Sequence, residues 1–194
     1  MTMQFKSALL VGLSAALAWG TPYPVAAAEA PATAVQTEPG VWQDHDLTFD
    51  FMGFTSTYSC DGLASALEGM LSTVGANKSA KVTPFCPRGF GQPDKLASAR
   101  LKFQSLQPQA PAAGDTKAPA SVPGTWRHVE FSGQKPLNLG GMDCELAEQF
   151  ADKVLPLFQT RNVERRFSCV PHQDSRLSFD LQFDVFAPPP ASKH

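Results

Sequence analysis

Leu177-Ser178-Phe179-Asp180-Leu181-Gln182-Phe183-Asp184-Val185-Phe186 carries a large apolar side chain at every second position from 177 to 185. That is the period of a strand with one face on a core and the other in water. Upstream, Asn162 to Cys169 reads as a second strand, with Val163, Arg165 and Phe167 on one side and Glu164 and Arg166 on the other. Before it, a helix begins after Asp143 and aligns Leu146, Phe150, Val154 and Leu157 on one stripe. Pro156 falls near its end, where the missing N–H and the ring clash kink or stop a helix. Thr125 to Ser132 alternates as a strand ahead of this helix, so the second half reads strand, helix, strand, strand.

The first half gives the same order. Thr48 to Phe54 starts as an alternating strand with Phe49 and Phe51 on one side. A helix spans about Cys60 to Val74 with Leu63, Leu67, Met70, Leu71 and Val74 on its apolar stripe. Ser59 is placed to cap it, Asp61 sits in the first turn where the dipole favours an acid, and Gly75 ends it. Strands follow at Ala80 to Cys86 and Ala99 to Leu106, and Pro84 argues against a central place for the first of them. Ser59-Cys60-Asp61 and Asp143-Cys144-Glu145 match as cap, Cys and acid. The expected fold class is therefore α+β: two tandem strand-helix-strand-strand repeats, their helices on one face of a largely antiparallel or mixed sheet.

Composition sets the boundaries. Residues 1–28 read as a signal peptide: Lys6 precedes an apolar run from Ala8 to Trp19, and Ala26-Ala27-Ala28 supplies the small residues a signal peptidase needs. The run is too short to cross a bilayer as a helix, and no later stretch is apolar enough. Residues 29–40 read as a flexible leader, 41–106 as the first unit, 107–124 as a Pro/Ala-rich linker, 125–187 as the second unit and 188–194, from Pro188-Pro189-Pro190 onward, as a loose tail. The expected location is the bacterial periplasm or the extracellular medium.

Four cysteines in an exported chain make two disulfides, with three connectivities open to the sequence. A helix of ~15 residues carries the chain roughly 22 Å from its start, and a strand of ~7 residues brings it back by nearly that distance. This predicts Cys60 with Cys86 and Cys144 with Cys169, one bond inside each repeat. No Cys-x-x-Cys occurs, so neither a zinc nor a redox site is expected.

With 16 Lys and Arg against 18 Asp and Glu, the formal net charge of −2 provides no footprint for nucleic acid. Hydrophobic residues make up 43% of the chain, too many for a disordered one. Reactive constellations are sparse. Asp44-His45-Asp46 could orient an imidazole but reads more simply as a solvated turn, and His128 shares parity with Trp126 and Glu130 on the solvent side. His172 follows Cys169 in a tethered loop, and Arg165 has the parity of the apolar side. These two residues are the candidate ligand-binding groups, with a helix carboxylate as the ordinary partner for Arg165. Gly89-Phe90-Gly91 lacks the Lys and hydroxyl of a phosphate loop, and Asn77-Lys78-Ser79 reads as the turn after Gly75. No metal or cofactor site is expected.

At Tyr58-Ser59-Cys60-Asp61-Gly62-Leu63, together with Asp143-Cys144-Glu145-Leu146, the chain resembles a group of small exported bacterial proteins of unassigned function. That resemblance implies no activity and assigns no functional residue. The residues themselves favour a non-enzymatic envelope or secreted module with a protein partner. The alternatives are a periplasmic binder of small anionic ligands, anchored on Arg165 or His172, and a hydrolase assembled from Asp44, His45 or His172.

Overall fold

The computed structural model describes residues 36–54, 56–85, 92–109, 120–132, 144–169 and 178–190. In chain order the elements are β1 (Glu38–Met52), α1 (Cys60–Thr73), β2 (Lys81–Phe85), β3 (Leu96–Pro108), β4 (Val122–Ser132), α2 (Cys144–Lys153), a 3-10 turn (Leu155–Leu157), β5 (Thr160–Ser168) and β6 (Ser178–Ala187). The strands form one sheet in the order β2-β3-β1-β4-β6-β5, and every pairing in it is antiparallel.

The expected fold class is corrected by this arrangement. In place of an α+β pair of tandem repeats with two intra-repeat disulfides, the described residues form a mostly antiparallel six-stranded sheet with two helices. One disulfide is seen among them, Cys144–Cys169, with Cα atoms 5.5 Å apart. Cys86, the partner expected for Cys60, lies outside the described residues. The physical reason for the shift toward sheet is that strands outrun their alternating stretches. Backbone ladders continue wherever a neighbour is in register, whether or not side chains alternate. β1 thus starts at Glu38, ten residues before the first clear alternation, and β3 runs from Leu96 to Pro108.

Local signals act where they stand. Ser59 Oγ accepts from the Gly62 N–H at 3.1 Å and caps α1. Gly75 takes a φ of +88° after its last turn, a conformation that favours glycine. Pro84, with no N–H to give, lies on β2 at the sheet edge. Pro156 falls in the 3-10 turn that follows α2. The signal peptide, the cap at Asp143 and the Gly89-Phe90-Gly91 turn fall on residues outside the described ones.

Odd-numbered side chains of β1, β3, β4 and β6, including Phe49, Phe51, Leu101, Phe131, Leu181 and Phe183, are buried together with Leu63, Leu67 and Met70 of α1 and Phe150 of α2 in one core. The other sheet face is open, with Asp44, Asp46, Asp50, Arg100, Lys102 and His128 exposed. Among the described residues no helix is long and apolar enough to cross a membrane.

The first and second halves of the chain are joined within the sheet by a short ladder, Glu38–Gly40 of β1 against Val122–Gly124 of β4. Two glycines make room there. Leu106 and Phe186, both fully buried though they belong to the open face, lie over Gly40 and Gly124. A Cβ on Gly124 would stand 2.3 Å from Phe186 Cζ, and one on Gly40 would stand 2.9 Å from both Leu106 Cγ and Phe186 Cε1. Arg127 of β4 ties the halves a second time. Its Nη2 donates to the Thr73 carbonyl in the last turn of α1 at 2.6 Å, and burial pushes its pKa down. Gly124→Ala should therefore lower stability in urea by about 1–3 kcal/mol, the cost of overpacking a filled site. Replacing both Cys144 and Cys169 by Ser opens a loop with a sequence separation of 25. In the chain-entropy model this removes on the order of 3 kcal/mol, measurable in the same titration.

Candidate interaction surface

Those residues flagged by sequence that the structure describes are engaged in structural contacts. His45 lies on the core-side parity of β1, and its Nε2 is 2.8 Å from Ser105 Oγ. Ser105 is fully buried, and its hydroxyl donates to the Leu157 carbonyl at 2.7 Å. A carbonyl can only accept, so the Ser105 proton is committed to Leu157, and His45 Nε2 must be the donor to Ser105. The pair is thus wired in the opposite sense to a serine nucleophile and its base. It works as a pin between β1, β3 and the turn after α2, reinforced by His45 on Phe103 and by Phe103 stacked on Phe158. Burial pushes the His45 pKa down, partly opposed by Asp44. Asp44 itself accepts from Gln104.

Asp46 on the open face takes Arg100 at 2.7 Å and Lys102 at 3.3 Å across the β1–β3 ladder. Arg100, foremost, holds its carboxyl well below the usual range, at about 2. Further along that face Asp184 accepts from Asn162 and Arg161 and lies 3.3 Å from His128, whose side chain is exposed as its parity predicts. Arg161 also covers the Trp126 ring at 4.1 Å. The open face is therefore a surface of neighbouring opposite charges that neutralise one another.

Arg165 meets Asp152 on α2 and lies over the Phe167 ring, so its guanidinium is engaged by a helix carboxylate. Arg166 points to the other face and pairs with Glu164. His172 lies outside the described residues. Among the described residues no group of three or more His, Cys, Asp and Glu side chains is placed to hold a metal.

What the sequence reading missed lies along the outer edge of β1. Three polar side chains of α2, four residues apart, face it in succession. Glu145 Oε2 accepts from the Phe54 N–H at 2.9 Å and the Ser56 N–H at 3.3 Å. Gln149 exchanges two bonds with Met52: its Oε1 accepts from the N–H at 3.1 Å and its Nε2 donates to the carbonyl at 2.9 Å. Lys153 Nζ donates to the Asp50 carbonyl at 2.5 Å. A helix rises about 6 Å in four residues and a strand advances about 6.8 Å in two, so the two repeats stay in step over this length. The helix stripe acts as a surrogate strand, running antiparallel to β1 with side-chain groups in place of peptide groups.

Beside this ladder the surface turns apolar. Four of the five large hydrophobic side chains exposed among the described residues gather at one corner: Met52 at 56%, Phe54 at 59%, Phe85 at 67% and Leu96 at 49%. Met52 is opposite Leu96 in the β1–β3 register. Phe85 is opposite Ser98, one diagonal step from Leu96 on the same face. Phe54 follows Met52, with the Gly53 N–H bonded to the Lys95 carbonyl at 2.7 Å and Lys95 Nζ to the Phe54 carbonyl at 2.9 Å. Met52 and Phe54 also form one wall of a groove of about 410 Å³ whose other wall is α2, with Glu145, Glu148, Gln149, Asp152 and Lys153, and Cys169 at its margin. A signal was available in Phe51-Met52-Gly53-Phe54, where apolar residues occupy both parities of a half-buried strand.

Two outcomes follow. Asp46 should titrate with a midpoint of about 2 by NMR and move toward 3.8 in Arg100→Gln. Because its folded pKa is depressed, its stabilising share is complete above about pH 4 and is lost as pH falls toward 2. Glu145→Gln should speed amide hydrogen exchange at Phe54 and Ser56 at least tenfold while leaving the β4–β6 ladder protected, since a charge-assisted acceptor for two N–H groups is weakened. Comparison of the chain with family models, curated proteins and solved structures gives no match in any of the three.

Proposed function

We propose that the protein is an exported, non-enzymatic protein-interaction module acting in the periplasm or outside the cell. The observation that carries this reading is the clustering of Met52, Phe54, Phe85 and Leu96 at one corner of the open sheet face, against a background where charges neutralise each other. Exposed apolar side chains are ordinary when scattered, and a contiguous group with a polar surround marks a contact surface. The Cys144–Cys169 disulfide suits an oxidising compartment.

The alternatives have less support. A binder of small anionic ligands anchored on Arg165 would need a guanidinium that Asp152 already engages, and the other anchor, His172, lies outside the described residues. A hydrolase built on Asp44 and His45 would need the imidazole to activate a nucleophile, whereas the hydroxyl that His45 Nε2 meets, Ser105, is buried and already bound to the Leu157 carbonyl; His172 is again outside the described residues.

A photo-crosslinking residue introduced at Leu96 or Phe85 in cells should trap a defined partner band that is absent when the same group replaces Thr48 on the open face. The added substitution Met52→Asp should abolish the band while leaving the circular dichroism spectrum unchanged. Equal trapping from all three positions, or from none, would end the interaction reading.

A further inference from the structure

We infer that the groove between Met52 and Phe54 of the β1 edge and the outer stripe of α2 receives a short extended segment of the partner chain in which an aliphatic side chain is flanked by Lys or Arg. This rests on the interaction reading above and gives the partner its chemistry. The two walls differ in kind. Met52 and Phe54, each more than half exposed, supply an apolar wall sized for one or two side chains in about 410 Å³. Facing them, α2 contributes Glu145, Glu148 and Asp152 against a single cation, Lys153.

That cation is already committed. Lys153 Nζ donates to the Asp50 carbonyl and lies 5.2 Å from the centroid of the Phe49 ring. Glu145 is buried and accepts the Phe54 and Ser56 N–H groups, and Asp152 is paired with Arg165. Glu148 makes no hydrogen bond or ion pair among the described residues and leaves an uncompensated carboxylate at the rim. A basic side chain next to an aliphatic one satisfies both walls, whereas an acidic ligand would meet like charge. The same reasoning disfavours a second copy of this chain. A two-fold contact about this corner would pair the same patch with itself and bring Glu148 no uncommitted cation from α2.

The test uses the full purified chain and two dye-labelled ten-residue peptides, one alternating Leu and Lys, the other alternating Leu and Glu, followed by fluorescence anisotropy. The Leu/Lys peptide should bind at least tenfold more tightly than the Leu/Glu peptide, with affinity falling as salt rises. Phe54→Ser and Glu148→Gln, both on exposed or rim positions, should each weaken it severalfold, while Thr48→Ser should not. Equal affinity for the two peptides, or binding that ignores Phe54 and Glu148, overturns the assignment. So does a concentration-dependent dimer in sedimentation that Phe54→Ser dissolves, which would make a second copy the occupant. If Leu96 and Phe85 still trap a partner when the peptide preference is missing, the basic-apolar chemistry falls and the interaction reading stands. If neither is seen, both fall.

Discussion

Every open sheet has backbone groups at its margin that need partners, and here that requirement governs how α2 sits. β1 is paired with β3 along its length but with β4 only through Glu38–Gly40. Its outer groups at Asp50 and Met52, and those of Phe54 and Ser56 just beyond its end, would otherwise lack these partners, and an unpaired strand edge invites association with other chains. Glu145, Gln149 and Lys153 close that stretch with side-chain bonds. Because the ladder fixes the axial position and rotation of α2, it also fixes which residues reach the core. Leu146 and Phe150 turn inward, Phe150 edge-on to Phe131, while Glu148 and Asp152 remain outside.

The same constraint has a consequence for recognition. A helix that closes an edge with side chains stands off farther than a strand would, and the gap beside Met52 and Phe54 becomes a groove. Elsewhere among the described residues the sheet edges and the open face offer less to a partner. The two outer strands are blunted, β2 by Lys81 and Pro84 and β5 by Arg161, Arg165 and Arg166. The open face spends its charges on cross-strand neighbours such as Asp46 with Arg100 and Asp184 with Arg161. Apolar exposure is thus concentrated where the backbone edge is already satisfied, which permits side-chain recognition there without extension of the sheet.

Much of the local structure was legible in the sequence. The alternation from Phe179 to Val185, the α1 stripe with its Ser59 cap and Gly75 stop, the edge position implied by Pro84 and the pairing of Arg165 with a helix acid each follow from short-range chemistry. Fold class did not follow from it. Two helices with clear periods point toward α+β repeats with their own disulfides, whereas the described residues form a predominantly antiparallel sheet with one disulfide among them. The polar first half of β1, Glu38 to Asp46, carries no alternation that announces a strand, and its pairing with β3 is decided 60 residues away along the chain.

Sequence alone determined the elements whose reasons are local: periods, caps and turn residues, together with the near balance of charge. Tertiary structure decided the rest, because strand length and register are set by neighbours that sequence distance hides. The join over Gly40 and Gly124, the wiring of His45 to Ser105 and Leu157, and the fit of Glu145, Gln149 and Lys153 to the β1 edge are of this second kind. So is the apolar corner, since Phe54, Phe85 and Leu96 come from three separate stretches of chain and become neighbours only when β2, β3 and β1 lie side by side.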